Sequence, residues 1–516
     1  MSNSCAICKN PSEQSCSLCN EVFYCSKDHQ RQDWKNHKPK CAPYKIVTSL
    51  RLGRHLVATR DIPQNAIIMK KFPLLIAPKM ASFPVCLGCH KRLQNDFHEC
   101  PKCSWPLCSK TCESSGYHQH ECEVFSRKNY TPRVQRSNTK QGIYSLIAPM
   151  RALILKTRNK SQFESLLSMQ SHLEDNQNSP IYRMLKASLV PIFRGFGIGD
   201  PEEILTICSI FDTNSFEIRD TKGLVNIRGL YPMVSLISHD CKINTKHSFH
   251  GDNHEIHVIA TVPIKKGEIL TTTYTQTLWC TAARRAHLKQ AKNFDCTCSR
   301  CEDPTEYGTF AGSIICTNCH NGLVVSEDPL DVKAGWKCDK CNHLLGHDEL
   351  DSLNEVLRRE VYCIDRSDPE NFENFLKKYK DVLHETNCHV LEVKYALTQM
   401  YGNLAGFKLE ELPEDLLKRK IDLCEELIQI ADKLEPGSSR FRGNLLDDLQ
   451  AALAEKTFRE LKTDDPNLNK SKEVFKRCFD LLEMATEILE TEPETEQHLK
   501  RQLENLLAKA PINTKT

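Results

Sequence analysis

Cysteine and histidine occur along this chain in pairs whose spacing suits metal coordination. Cys5-x2-Cys8, Cys16-x2-Cys19, Cys25-x3-His29 and His37-x3-Cys41 crowd its beginning. Two or three intervening residues let a tight knuckle or one helical turn aim both side chains at one metal. Eight such ligands fill two tetrahedral Zn2+ sites. The pattern recurs, after about 80 residues, at Cys86-x2-Cys89, Cys100-x2-Cys103, Cys108-x3-Cys112 and His118-x3-Cys122, an internal repeat of a module about 40 residues long. His120 competes for the histidine position, but the His-x3-Cys spacing of the first copy favours His118. Further on, Cys296-x-Cys298-x2-Cys301 offers three ligands and requires a distant fourth. Cys316-x2-Cys319 and Cys338-x2-Cys341, 18 residues apart, have the spacing of a zinc ribbon. There is no His-Glu-x2-His, and no His-x-Glu followed by Pro-Cys-x2-Cys. An open, water-activating zinc is therefore not expected, and the metals read as structural.

These clusters must be held by elements that composition and pattern constrain. The chain has 516 residues, 27 Cys, 20 His and a formal net charge of +2. That length implies two to four packing units. No apolar stretch approaches the roughly 20 residues needed to span a bilayer. The residues before Cys5 carry no basic and apolar leader, so no signal peptide is expected. The expected compartment is the cytoplasm, the nucleus or both, where thiols stay reduced and paired cysteines act as metal ligands rather than disulfides. The near-zero net charge, with no Cys2His2 finger and recognition helix, argues against direct sequence-specific DNA binding.

Between the clusters, residues 49–80 read as strand, turn, strand around Gly53 and the turn at Asp61 to Asn65. Residues 140–212 carry a helical stripe, as in Tyr144, Ile147, Met150 and Leu153. From Asn214 the pattern returns to strands, with one after His254, a turn at Ile264 to Glu268 and a β-branched run from Ile269 to Tyr274. From Glu349 onward the chain reads as consecutive helices. Asp368-Pro369 is an N-cap with proline at the first helical position, and Leu434 and Gly437 bracket a helix end. Cys208, Cys280, Cys363, Cys388, Cys424 and Cys478 stand alone and read as small apolar residues.

At this point the motifs resemble a family. The first cluster looks like a MYND zinc finger. Gly53-Arg54-His55-Leu56, Asn214-Ser215-Phe216, Gly229-Leu230-Tyr231-Pro232, Ser235 to Cys241, Gly267-Glu268 with Tyr274, and Phe294 with the cysteines after it follow in the order of a SET domain. The chain is similar to the SMYD proteins, the SET and MYND protein-lysine methyltransferases, and most to the SmydA group of arthropods. The resemblance implies that Cys241 is the fourth ligand of the post-SET zinc. The set then totals 24 ligands, 21 Cys and three His, enough for about six Zn2+.

The resemblance further implies methyl transfer from S-adenosylmethionine to a lysine of a histone or another protein. Tyr274 is the expected catalytic residue. Arg54, Asn214, Ser235, Ile237, Ser238, His239, Tyr274 and Phe294 are the expected cofactor-binding residues. Protein partners are expected at the MYND modules, and no membrane. Several positions depart from the family pattern. His55 replaces the second glycine of the cofactor loop, Ser238 an asparagine, Asp240 a serine and Ile243 a proline. Lys292 stands where a channel aromatic is common, and His29 replaces a MYND cysteine. The SET changes bear on cofactor affinity and turnover. They favour a second reading, a catalytically weak SET and MYND zinc scaffold that recruits protein partners.

The expected class is α+β and multidomain: a SET β-fold interrupted by zinc modules, with MYND fingers, post-SET zinc sites and a C-terminal all-α, TPR-like domain. Expected boundaries are 1–42 for the MYND finger, 43–80 for the N-terminal SET part and 81–125 for the second MYND-like module. A helical insert spans 126–213, the C-terminal SET part 214–285, the post-SET site and ribbon 286–348, and the helical domain 349–516.

Overall fold

A computed structural model describes residues 4–12, 14–16, 22–38, 41–94, 96–219, 225–492 and 495–510. The chain divides into two compact units. The first comprises Met1–Ile68, Ser238–Lys246 and Ile259–Thr516, and the second Met69–Ile237 and His247–Val258.

The first unit opens on the helix Lys27–His37. Ser26 caps it by accepting the His29 N–H, so one short helix presents His29 on its first turn and His37 on its last. An antiparallel hairpin follows, Tyr44–Ser49 against Gly53–Ala58, in register from Tyr44 opposite Ala58 to Ser49 opposite Gly53. Gly53 closes its turn at φ +61°, a conformation that costs glycine little. The second strand of the hairpin is extended by residues 267–270, through Gly267 N–H to Ala58 O and Leu270 N–H to Leu56 O, both 2.9 Å.

The run from Ile269 to Tyr274 is not one strand. Only Thr271–Thr272 forms a ladder, parallel to Ser238–His239, while Ile269 bridges to Val57. The segment changes partners partway along. Its first residues pair with the hairpin and its middle with Ser238–His239, and the Tyr274 N–H bonds a side chain instead of a backbone carbonyl.

The helical region of this unit runs through His347–Cys363, Pro369–Tyr379, Cys388–Met400, Glu414–Leu434, Arg440–Glu460, Leu468–Leu489 and Glu496–Lys509. Asp368 caps the second of these by accepting the Glu370 N–H at 2.9 Å, with Pro369 at its first position, as the sequence implied. Apolar residues at helical spacing, such as Leu417, Ile421, Cys424 and Leu427, build the buried face. Cys280, Cys388, Cys424 and Cys478 are buried here, consistent with their apolar reading, whereas Cys363 is exposed. The loop after Leu434 sits on the β-rich part of the same unit. Gly437 lies at φ +82°, where a Cβ would fall 2.1 Å from the Thr261 carbonyl oxygen, and the Ser438 N–H donates to that oxygen at 2.8 Å.

The second unit packs Leu75–Pro78, Val225–Leu230 and Ser215–Arg219 as an antiparallel sheet in that order. Its longer helices are Gly116–Arg127, Ile147–Arg158, Lys160–Leu167, Pro180–Phe196 and Pro201–Asn214. Trp105, Phe125, Tyr144, Phe193 and Phe211 fill its core. A fully engaged arginine crosses that core. Arg151 donates through Nε and Nη2 to both oxygens of Glu121, each at 2.9 Å. It also donates to the carbonyls of Ile76 (2.7 Å) and Leu87 (2.9 Å) and to His90 Nε2 (2.7 Å). All five N–H groups are satisfied, as a buried guanidinium requires. The His90 imidazole is held well below its ordinary range by burial and by the neighbouring guanidinium, so it stays neutral and accepts.

Removing one partner of a buried ion pair strands the other charge, at a cost of about 3–5 kcal/mol. Arg151→Met is therefore expected to lower the stability of the second unit by that order in urea unfolding. Arg151→Met combined with Glu121→Leu should recover part of the loss. Equal losses in the single and double variants would show that the stranded carboxylate is not the cause.

Candidate active site and metal centres

The cysteine pairs combine in alternation. Pairs one and three of the first cluster meet: the donor atoms of Cys5, Cys8, Cys25 and His29 all lie within 4.8 Å of one another. His29 Nδ1 is 3.1 Å from Cys25 Sγ and 3.4 Å from Cys5 Sγ. Cys16 and Cys41, from pairs two and four, bring their sulfurs to 3.9 Å, and His37 is buried. Cys19 lies outside the described residues. The second cluster alternates in the same way, with Cys86, Cys89, Cys108 and Cys112 in one group and Cys100, Cys103, His118 and Cys122 in the other. His118 is the histidine that faces the sulfurs, its Nε2 3.8 Å from Cys103 Sγ, while His120 accepts from Arg158. Cys241 joins Cys296, Cys298 and Cys301, with 3.6 Å between the sulfurs of Cys241 and Cys301. The ribbon group closes with Cys316–Cys341 at 3.6 Å and Cys319–Cys338 at 3.7 Å.

These spacings fit zinc. Four thiolates at about 2.3 Å from a tetrahedral ion lie about 3.8 Å apart along each edge. The donors are thiol and imidazole throughout, the set that zinc prefers. Among the described residues, five groups each bring four ligands together without an open position, so their metals would hold loops in place rather than bind substrate.

Beside the Cys241 group lies an aromatic cluster. Tyr274 and Phe294 pack against it. The His239 ring sits 5.3 Å from the Tyr274 ring and 5.8 Å from the Phe294 ring, centre to centre. The hydrogen bonds of His239 fix its tautomer. The Tyr274 backbone N–H can only donate, and it points at His239 Nδ1 from 3.0 Å, so Nδ1 carries no proton. The ring proton is then on Nε2, 3.4 Å from Cys241 Sγ. Burial pushes the imidazole down to about 4, which keeps it neutral. Burial also pushes the Tyr274 phenol up to about 12, so its O–H stays protonated at neutral pH.

Of the residues expected at the cofactor, the first unit thus brings together His239, Tyr274 and Phe294. Ser238 adjoins them on the Thr271–Thr272 ladder, its N–H on the Leu270 carbonyl at 3.2 Å. Arg54 is exposed on the hairpin strand, while His55 is buried with its ring Nδ1 3.0 Å from the Gly53 carbonyl. Asn214, Ser235 and Ile237 belong to the second unit. There the Asn214 amide donates to the Gln170 and Ile210 carbonyls, Ser235 donates to Pro232 O, and Ile237 is buried. Lys292 places its ammonium over the Tyr274 ring, 5.7 Å from the centroid. The face of that ring therefore already receives a cation, as an electron-rich face does.

Sequence reasoning missed the arginines behind this cluster. Arg284 is 1% exposed. Its Nε–H donates to Cys241 Sγ at 3.1 Å and its Nη2 approaches Cys301 Sγ at 3.6 Å. The other N–H groups bind Glu306, the Thr281 hydroxyl and the Trp279 carbonyl. Arg300, fully buried, shares Glu306. Arg284 carried no motif of its own. The available signal was its place one turn before Leu288 on the inward face of the helix Thr281–Lys292.

Comparison with known proteins agrees with this architecture. A MYND finger model matches residues 5–41 and a SET domain model residues 53–275. The chain is 30% identical to the SET domain-containing protein SmydA-8, isoform A, of Drosophila melanogaster, over 78% of this chain and 87% of that protein. It is 28% identical to histone-lysine N-methyltransferase ASHR1 of Arabidopsis thaliana, over 59% and 65% of the two chains. It is 25% identical to histone-lysine N-methyltransferase SMYD1 of Homo sapiens, over 70% and 73%. The fold and site define a zinc-bearing SET protein. More narrowly, the chain belongs to the SMYD family of SET and MYND proteins, as its motifs implied.

Metal analysis of the purified protein should find about six zinc ions per chain. Cys319→Ser should lower that count by one while the SET cluster keeps its metal. A count unchanged by this substitution would remove the ribbon site.

Proposed function

We propose that the protein is a protein-lysine N-methyltransferase that transfers a methyl group from S-adenosylmethionine to a lysine of a histone or another protein. The observation that carries this reading is the His239, Tyr274 and Phe294 cluster, set against the Cys241 group within a SET framework. Its relatives named as histone-lysine methyltransferases support the same activity.

The residues fit the cofactor in kind. Aromatic faces suit both a purine and a sulfonium, and the Tyr274 face already attracts an ammonium. S-adenosylmethionine, when bound, supplies an electrophilic methyl group. What the chain contributes is positioning and dryness. Tyr274 keeps its phenolic proton, so it orients by hydrogen bonding and does not take a proton at neutral pH. His239 is no base either, since one nitrogen accepts from a backbone amide and the other faces a thiolate. The substrate amine must therefore arrive neutral, and burial favours that form. The backbone at Ser238 and the side chain of Arg54 add to the proposed cofactor contacts of the first unit. The domain boundaries given above accompany the proposal, as do protein partners at the MYND modules and residence in the cytoplasm or nucleus.

A second reading, a partner-recruiting zinc scaffold, is favoured by one observation. Lys292 holds its cation over the ring that would receive the substrate.

Calorimetry on zinc-replete protein separates the two. The enzyme reading expects S-adenosylmethionine to bind, and no heat at millimolar cofactor would remove it. Given binding, Tyr274→Phe should lower the methyl-transfer rate by about 100-fold or more while leaving cofactor affinity within a few-fold, the pattern of a residue that acts on the reacting groups. Unchanged turnover would overturn the role given to Tyr274.

A further inference from the structure

A zinc ion with four thiolate ligands retains two surplus negative charges, and the Cys241 group is buried on all four ligands. Charge in such a place must be compensated nearby. Arg284 and Arg300 bring two positive charges against the one carboxylate of Glu306, a net offset of one of those charges. The compensation is also directional. Cys241 Sγ faces two N–H groups, Arg284 Nε–H at 3.1 Å and His239 Nε2–H at 3.4 Å. The far nitrogen of His239 holds the Tyr274 backbone N–H. A continuous hydrogen-bonded line therefore runs from the guanidinium through the thiolate and the imidazole to the backbone of Tyr274.

We propose that Arg284 is a positioning residue for the methyl-transfer cleft: its guanidinium neutralises and orients the Cys241 and Cys301 thiolates, and through Cys241 and His239 it fixes the backbone of Tyr274. Cys241 is the ligand most in need of such a hold. Its three partners come from one short stretch, Cys296 to Cys301, while Cys241 comes from a separate segment. Arg285, next on the same helix, grips that short stretch through the Cys296 carbonyl at 3.1 Å. Two consecutive arginines thus join the two parts of the site. The line from Arg284 to Tyr274 stands on geometry alone; its meaning for catalysis rests on the methyltransferase reading.

The test compares zinc-loaded, full-length wild type with Arg284→Met, Arg284→Gln and Arg284→Lys. Alkylation by N-ethylmaleimide is followed cysteine by cysteine by mass spectrometry, and amide exchange is followed in the peptide around Tyr274. In the uncharged variants the Cys241 and Cys296 to Cys301 thiolates should be modified about tenfold faster, the usual scale of losing a partner behind a metal ligand. The ribbon cysteines, Cys316 to Cys341, should react as before, and the Tyr274 peptide should lose protection. Arg284→Lys keeps the charge and should recover most of both effects. Unchanged alkylation would overturn the proposal. So would lysine behaving like methionine, or an equal rise at every cluster, since either would mark Arg284 as a packing residue. Neither measurement reads methyl transfer, so failure here is distinguishable from failure of the enzyme reading.

Discussion

Zinc thiolates buried away from water are the constraint on which the rest of this structure depends. The all-thiolate Cys241 group, buried on all four ligands, concentrates negative charge where solvent screens it poorly, and fixed donors must offset it. The Cys241 group receives its offset from Arg284 and Arg300, and the neighbouring backbone arranges itself to satisfy those guanidinium groups. Trp279 and Thr277 give carbonyls, Thr281 a hydroxyl, and Glu306 a buried carboxylate shared between the two arginines. Arg151 in the second unit follows the same logic beside the second zinc module. Its five N–H groups collect a carboxylate, a histidine and two carbonyls from three separate segments. In both units a buried arginine does what a regular sheet does elsewhere, giving irregular chain a full set of hydrogen-bond partners.

Alternation of the ligand pairs explains how so little chain can be so ordered. If adjacent pairs shared a metal, each zinc would close a short loop and leave the two loops independent. With pairs one and three on one metal and two and four on the other, neither loop can open without the other. The first cluster has few apolar residues of its own; its buried core is Cys5, Cys16, Tyr24 and Cys41. A core of that size cannot hold a fold by apolar burial alone, so metal binding and folding are one event there.

Much of this was legible in the sequence because metal ligands announce themselves by spacing. Two-residue and three-residue gaps fixed the zinc pairs, the repeat selected His118 over His120, and ordered glycine, tyrosine and cysteine motifs pointed to the SET framework. Periodicity gave the helices, and Asp368-Pro369 gave a helix start that the structure reproduces. Which pair joins which was not legible, because any two pairs at these separations can reach one metal. Arg151, Arg284 and Glu306 were invisible for a different reason. A charged residue usually faces water, whether on a helix like Arg151 and Arg284 or in a turn like Glu306, and only the three-dimensional neighbourhood reveals the opposite charge beside it. The strand from Ile269 to Tyr274 was overextended because β-branched composition reports local preference, whereas the partners change along the segment.

The position of His239 follows from these same limits. A histidine between a backbone amide and a zinc thiolate has no freedom of tautomer: the amide demands an acceptor on one side, and the thiolate rewards a donor on the other. Its ring is therefore fixed in orientation as firmly as a metal ligand, without binding metal. Tyr274 inherits that rigidity through its own N–H, and its ring lies beside the imidazole at a distance that aromatic packing favours. A group meant to align a lysine with a methyl donor gains from being held this way, since alignment within fractions of an ångström carries much of the rate in such displacements. The serine at 238 and the aspartate at 240 alter the side chains around this line while leaving its links intact, because those links use the His239 ring, the Cys241 sulfur and a backbone amide. Divergence in the cofactor motif and retention of the zinc-braced tyrosine are thus physically compatible.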